Sequence, residues 1–288
     1  MFSILIPTYN NINYLKLCLK SIEKNSKEKH EIILHINDGS DGTLNYVKSN
    51  NLKHSHSIKN IGLCSSINTA FNHATKKFIL YAHDDMYFCP DWDVHFLEEV
   101  NKIGHNKFYL SGTMIEPNSG HIPYNCGDSI ENFDEKKLLQ NFKSLKFFDH
   151  QGSHFAPHLI EKNMWKKVGG FSEEFNPGDC SDPDFNMKLW NEGVRIFKGI
   201  NYSRVYHFSS ITIRKRTDIK QNKGDKTFLK KWGITHKFFK KYYLKSRTPY
   251  KGPLNSPDKS AVYYFELIIC KIKFFYSLIF KQSEKKWN

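Results

Sequence analysis

Two adjacent carboxylates, Asp84 and Asp85, follow directly on an apolar run that begins Phe78-Ile79-Leu80-Tyr81. Four apolar residues in a row predict a strand buried on both faces. Paired acids at the C-terminal end of such a strand lie at the mouth of an α/β sheet, where these folds bind ligands. Two carboxylates so close repel each other unless a cation sits between them and a ligand. The chemistry that suits them is holding a divalent metal against a phosphate; a solvated acidic turn is the plain alternative. A second acidic group, Asp182-Pro183-Asp184, has the order of a helix start, with Asp182 as cap and Pro183 at the first helical position. A third candidate is His150, His154 and His158, which recur every fourth residue as metal ligands on a helix would. Gly152 and Pro157 interrupt that run, so extended chain is expected there instead of a zinc helix.

The elements that must position these groups alternate. Phe2 to Ile6 reads as a short strand stopped by Pro7, and Pro7-Thr8-Tyr9-Asn10-Asn11 as a polar loop. Leu15, Leu19 and Ile22 recur at helical spacing over Ile12 to Lys24. Glu31 to Ile36 is a second strand, followed by the glycine-rich loop Asn37-Asp38-Gly39-Ser40-Asp41-Gly42-Thr43, whose backbone N–H groups suit a tight, anion-binding turn. A third strand near His54 to Ile58 leads through Asn60-Ile61-Gly62 into a helix carrying Ile67, Ala70, Phe71 and Ala74 on one face. This βαβαβαβ order predicts a parallel, Rossmann-like sheet. Neither G-x-G-x-x-G nor G-x-x-x-x-G-K-[ST] occurs, which argues against a dinucleotide dehydrogenase and a P-loop NTPase. Helices are expected from Pro90-Asp91 to about Val100 and from Glu161 to Val168, and strands at Phe108 to Leu110, Val194 to Lys198 and Tyr202 to Phe208. Residues 116–149 read as a polar, irregular loop.

The chain has 288 residues and a formal net charge of +14. That excess is confined to one end. Residues 1–207 hold 23 basic and 24 acidic residues, and residues 208–288 hold 20 and 5. The near-neutral body argues against a nucleic-acid-binding protein, and no nucleic-acid partner is expected. Six scattered cysteines without a C-x-x-C pair, and no visible secretory leader, lead to the expectation of a reducing cytosol.

Four motifs in order, Pro7-Thr8-Tyr9-Asn10, Asn37 to Thr43, Asn60-Ile61-Gly62 through Asn68, and His83-Asp84-Asp85, resemble family 2 glycosyltransferases over roughly residues 1–210. The resemblance implies the type A nucleotide-sugar-binding (GT-A) fold, an α/β architecture with a mainly parallel sheet flanked by helices. It implies a catalytic domain over 1–210, divided into a nucleotide-sugar half (1–110) and an acceptor half (111–210). Residues 211–288 form a basic, helical extension. By this resemblance Pro7, Thr8, Tyr9, Asn10, Asp38, Asn60 and Gly62 bind the nucleotide-sugar. His83-Asp84-Asp85 falls on the family's "DXD" motif. Asp85 then ligates Mn²⁺ or Mg²⁺, and Asp84 faces the ribose or the sugar. Gly169-Gly170-Phe171-Ser172-Glu173 resembles the "GGFDE" segment. The acidic pair that follows in relatives falls on Ser181-Asp182, which makes Asp182 the expected catalytic base, with Asp179 second. His207 falls where relatives complete the metal site, and Arg214, with Lys215 and Arg216, is expected to clamp the diphosphate. His154 is left to face the acceptor. Three departures stand out: His83 replaces an acid, the Asp38 loop is one residue short, and Ile67 replaces a basic residue.

The expected activity is metal-dependent, inverting transfer of one sugar to a hydroxyl of a glycan, glycolipid or polysaccharide precursor. The processive "QxxRW" sequence is absent. The alternatives are a nucleotidyltransferase making nucleotide-sugars and a basic nucleic-acid binder. Residues 261–280 form an apolar helix about 30 Å long, interrupted by Glu266, Lys271 and Lys273. Glu266, Cys270, Lys273 and Ser277 make one polar stripe, expected to face water while the helix lies on an anionic membrane surface through residues 215–281. Packing on the domain or on a second subunit is the alternative. Membrane contact would suit a lipid-linked acceptor.

Overall fold

A computed structural model describes residues 1–152, 156–208 and 223–279. Within them ten strands form one sheet: β1 (Phe2–Tyr9), β2 (Glu31–Asn37), β3 (His54–Ser57), β4 (Phe78–Tyr81), β5 (Met86–Phe88), β6 (Phe108–Glu116), β7 (Ile122–Pro123), β8 (His150–Gln151), β9 (His158–Glu161) and β10 (Ile196–His207). The order is β3-β2-β1-β4-β9-β6-β10-β5, with β7 on β6 and β8 on β10. The first four strands are mutually parallel. β9 runs antiparallel to both β4 and β6. β10 is parallel to β6 and antiparallel to β5.

Helices α1 (Ile12–Asn25), α2 (Thr43–Ser49), α3 (Leu63–Phe71) and α4 (Trp92–Ile103) connect the first strands. The parallel crossovers follow the hydrophobic pattern: α1 buries Leu15, Leu19 and Ile22, and α3 buries Ile67 and Ala70. Crossover connections put the C-terminal ends of β1, β2 and β4 on one edge of the sheet.

Pro7 does not stop β1, which continues to Tyr9. The Leu5 carbonyl accepts from Ala82 N at 3.0 Å, so the odd residues of β1 face β4. That ladder ends at the Leu5–Tyr81 pair, so Pro7, two residues on, has no N–H to supply. Nor is the segment after β6 simply a loop. It holds α5 (Glu135–Asn141), and Leu138, Phe142, Ile122 and Cys126 form a second core with Tyr14, Tyr87, Tyr206 and Phe208.

α6 (Lys162–Val168) and α7 (Ser181–Asn191) pack over β9 and β6. The basic extension adds α8 (Gly224–Trp232), α9 (His236–Tyr242) and α10 (Ala261–Ile279). Phe228, Phe238, Phe239, Leu244, Tyr263 and Cys270 join the core that contains the sheet. α10 departs in part from the expected arrangement. The first half of its polar stripe turns inward, where Glu266 pairs with Lys241 at 2.6 Å and Cys270 is buried 3.7 Å from the Thr235 hydroxyl, while Lys273 stays exposed. Val262, Phe265, Ile268, Ile272, Phe275, Tyr276 and Ile279 face outward, each more than half exposed. No described helix is long and apolar enough to cross a membrane.

Candidate active site

The loops after β1, β2 and β3 present polar side chains, each held by a neighbour. Asn10 donates to Asp38 at 2.8 Å and accepts from Gly39 N at 2.8 Å, joining the loops after β1 and β2. Asp38 sits at φ 61°, and its Oδ1 accepts from Ser40 N at 3.3 Å, so an Asx turn and a side chain at the sheet edge coincide. Asn37 accepts from Ile61 N at 2.9 Å, and Asn60 from Gly62 N at 2.9 Å. Gly62 has φ 83°, and a Cβ there would lie 2.4 Å from Asn176 Oδ1, so only glycine fits. Tyr9 and Asn10 are half-buried at the rim, while Pro7 and Thr8 are buried beneath it. Three of the sequence-predicted motifs therefore meet at one edge.

Asp84 and Asp85 are 7% and 4% exposed, which rules out a solvated turn. Thr8 donates to Asp84 at 2.6 Å. Burial first, and then the charge of Asp85, still pushes Asp84 up to about 7. β5 pairs antiparallel with the end of β10, matching Met86 with His207. That pairing sets His207 Nε2 3.2 Å from Asp85 Oδ1, across 122 residues of chain. His83 Nδ1 lies 3.4 Å from the same nitrogen and 4.0 Å from the same oxygen. The other nitrogen of His207, Nδ1, bonds Glu116 at 2.6 Å, and the Ser119 hydroxyl donates to Glu116.

Burial opposes a charge on His207, but Asp85 and then Glu116 outweigh it and raise the imidazole to about 10. Burial and the charge of His207 hold His83 down, to about 4. The cluster offers two imidazoles and a carboxylate on one point. Such a set suits a divalent cation of the Mn²⁺ type, and its residues fit the group. Glu116 on the far nitrogen is the carboxylate–histidine arrangement that fixes a ligating ring.

Asp182 reaches the neighbourhood of Tyr81 through His158, whose ring lies 6.0 Å from that of Tyr81 and whose Nδ1 is 3.9 Å from Asp182 Oδ1. Burial raises the Tyr81 phenol well above its ordinary value, and Asp182 and Asp85 both add to the shift, so one side chain feels both acids. Asp182 is not the helix cap. That place belongs to Cys180, in a left-handed conformation, with Ser181 the first helical residue and Pro183 the third. Oδ1 of Asp182 is buried and has no hydrogen-bond partner among the described residues; His158 Nδ1 approaches to 3.9 Å. Burial pushes this carboxyl up to about 7, with Lys240 of α9 opposing. A base near neutrality with an unengaged oxygen is suited to accept a proton. Asp179 is exposed beside it. His150 and His158 lie on strands, as the extended reading required. His154, Arg214, Lys215 and Arg216 lie outside the described residues.

The glycosyl transferase family 2 model matches residues 3–158, more than half of the chain. The chain belongs to that family. Among curated relatives, an uncharacterized glycosyltransferase of Rickettsia typhi is 28% identical over 225 residues, covering 75% of this chain and 64% of the relative. The chain thus spans less than two thirds of that relative's length. Among solved structures, S. aureus TarS (residues 1–349) in complex with UDP-GlcNAc superposes with a TM-score of 0.53 at 18% identity, covering 73% of this chain and 60% of that one. GalNAc-T7 with UDP, GalNAc and Mn²⁺ gives 0.58 at 14% identity, covering 83% and 49%. At these identities the likeness shows the fold, which is GT-A. Membership of family 2 weighs against the nucleotidyltransferase reading.

His83 and Glu116 join the cluster with Asp85 and His207, although the sequence assigned neither of them a role there. His83 was visible as the odd member of its motif. Glu116 carried only the signal of an acid closing an apolar strand.

Proposed function

We propose that this glycosyltransferase moves one sugar from a nucleotide-sugar to an acceptor hydroxyl with inversion at the anomeric carbon. Residues 1–210 form the catalytic domain, and the basic extension adds Arg214 and, through Lys240, a charge that acts on Asp182. The observation that carries the reading is the pairing of a cation-holding cluster, Asp85–His207–His83, with an unengaged base, Asp182, around Tyr81. Asp38, Asn10 and the backbone of the two glycine loops receive the nucleoside, with Pro7 and Thr8 supporting the rim from below and Tyr9 beside it. The turn Asn60-Ile61-Gly62 lets a ligand approach the backbone closely. Asp84, held by Thr8, faces the sugar side. Arg214 is assigned to the diphosphate.

Asp182 takes the proton of the acceptor hydroxyl as its oxygen forms the bond to the anomeric carbon. The bond from that carbon to the diphosphate breaks on the opposite face, and the nucleoside diphosphate leaves with the electron pair. Asp85, His207 and His83 would hold Mn²⁺ or Mg²⁺, which when bound neutralises charge on the diphosphate oxygens. Glu116 keeps the His207 ring turned toward Asp85. The substitution Asp182→Asn tests the reading: turnover should fall on the order of a hundredfold or more while donor binding is kept.

The outward face of α10 is proposed to rest on an anionic membrane surface. Residues 223–279 hold 13 basic and 3 acidic residues, and Lys271 and Lys273 are exposed beside the apolar face. A contiguous apolar face rimmed by lysines matches an interfacial helix, each Lys near the headgroups adding about 1 kcal/mol. A lipid-linked glycan precursor is the acceptor class this location favours.

A further inference from the structure

Away from the transfer site, three side chains from three separate elements converge. Cys180 lies at the N-terminus of α7, Asp225 is in the first turn of α8, and His236 is the first residue of α9. Cys180 Sγ is 2.8 Å from His236 Nδ1 and 3.3 Å from Asp225 Oδ1, and His236 Nδ1 is 3.0 Å from Asp225 Oδ1. A nucleophilic relay needs the thiol on one ring nitrogen and the carboxylate on the other. Here both approach the same nitrogen, so the three atoms aim at a common centre.

Zinc bond lengths of about 2.0–2.3 Å to N, O and S set tetrahedral edges of roughly 3.3–3.6 Å. Each edge of this triangle would open by less than about 1 Å to admit the ion. Cys180 is only 9% exposed, whereas the Asp225 side chain is 68% exposed, so a fourth position opens to water. The α8 start is pressed onto the Cys180 loop: a Cβ at Gly224 would lie 2.2 Å from the Asp179 carbonyl. Cys180 also holds φ 61°, a conformation that glycine or asparagine adopts more cheaply, which points to its side chain as the reason it is there. Cysteine, histidine and aspartate together favour a borderline-soft divalent ion.

We propose that Cys180, Asp225 and His236 form a Zn²⁺ site with water in its fourth position, separate from the Asp85–His207 cluster, that clips the basic extension to the start of α7. The clip lies two residues from Asp182. It fixes α9, whose Lys240 acts on Asp182, against the helix that carries that acid.

The test is Co²⁺ titration of the full chain after chelation, without nucleotide, read by absorption. Thiolate-to-cobalt charge transfer in the near ultraviolet reports Cys180 and is silent for a His/Asp site. One equivalent is expected, with the band retained in Asp85→Ala and lost in both Cys180→Ser and His236→Gln. Circular dichroism confirms that both variants are folded, and metal analysis of untreated protein should give one Zn²⁺ in the parent and none in either. No thiolate band in the folded parent, or a band that survives Cys180→Ser, overturns the site. A band in a chain that transfers no sugar would leave the clip standing and sink the transfer mechanism alone.

Discussion

Asp85 and Asp182 stand near the same edge of the sheet, both close to Tyr81, and differ in company. Asp85 is surrounded by imidazole, with His207 at 3.2 Å and His83 at 4.0 Å. Asp182 has a buried oxygen that no described hydrogen-bond donor reaches, and a histidine only at 3.9 Å. A buried acceptor left without a donor costs about 1–3 kcal/mol. A fold tolerates that cost where the group must stay reactive, and fills it in where the group must hold a charge in place. On the proposed reading, that difference in company separates an acid that binds from an acid that reacts.

The comparison breaks hardest at Asp85. Asp85→Ala should abolish transfer and remove Mn²⁺-dependent nucleoside-diphosphate binding, measured by calorimetry; sugar transfer near the parent rate would show that the cluster is not the metal site. The pH profile sharpens the other side. Asp182 is active when ionised and its carboxyl stands at about 7, so kcat should fall as pH drops through that value, approaching tenfold per unit below it. A rate flat from pH 8 to about 5 is incompatible with Asp182 as base. Glu116→Gln keeps the shape but weakens the hold on His207, and the Mn²⁺ affinity should fall about tenfold with donor-saturated kcat less affected. Unchanged Mn²⁺ affinity would leave Glu116 a merely structural partner. The smallest effect belongs to the rim far from the chemistry. Ile272→Glu with Phe275→Glu should cut co-sedimentation with anionic liposomes several-fold and leave turnover on a soluble acceptor intact. Equal pelleting of parent and variant would rule out the lipid contact.

Much of residues 1–110 could be read before the fold was seen, because the signals there are local. A parallel βα repeat writes its period into consecutive residues, and the loops at Asn10, Asp38, Gly62 and Asp84 follow the strands that carry them. Pro7 misled because a strand's end was inferred from a missing N–H, while the ladder that would have needed it had already finished at Leu5. The Asp182 cap misled similarly: Cys180 took the turn, and the acid was left for other use. His207 was assigned by resemblance alone, since nothing in its spacing shows the β5–β10 pairing that brings it to Asp85. For α10 only part of the stripe faces water: Glu266 and Cys270 find Lys241 and Thr235 inside, while Lys273 stays exposed.

The most direct measurement pairs donor binding with diphosphate release on the same preparations of parent and Asp182→Asn, across a panel of nucleotide-sugars with Mn²⁺. The account predicts that the parent releases nucleoside diphosphate from at least one donor. The variant should bind that donor within about threefold of the parent and release diphosphate on the order of a hundredfold more slowly, since only a transition-state proton transfer has been removed. Release at the parent rate, or loss of donor binding, would contradict the division between an acid that binds and an acid that reacts.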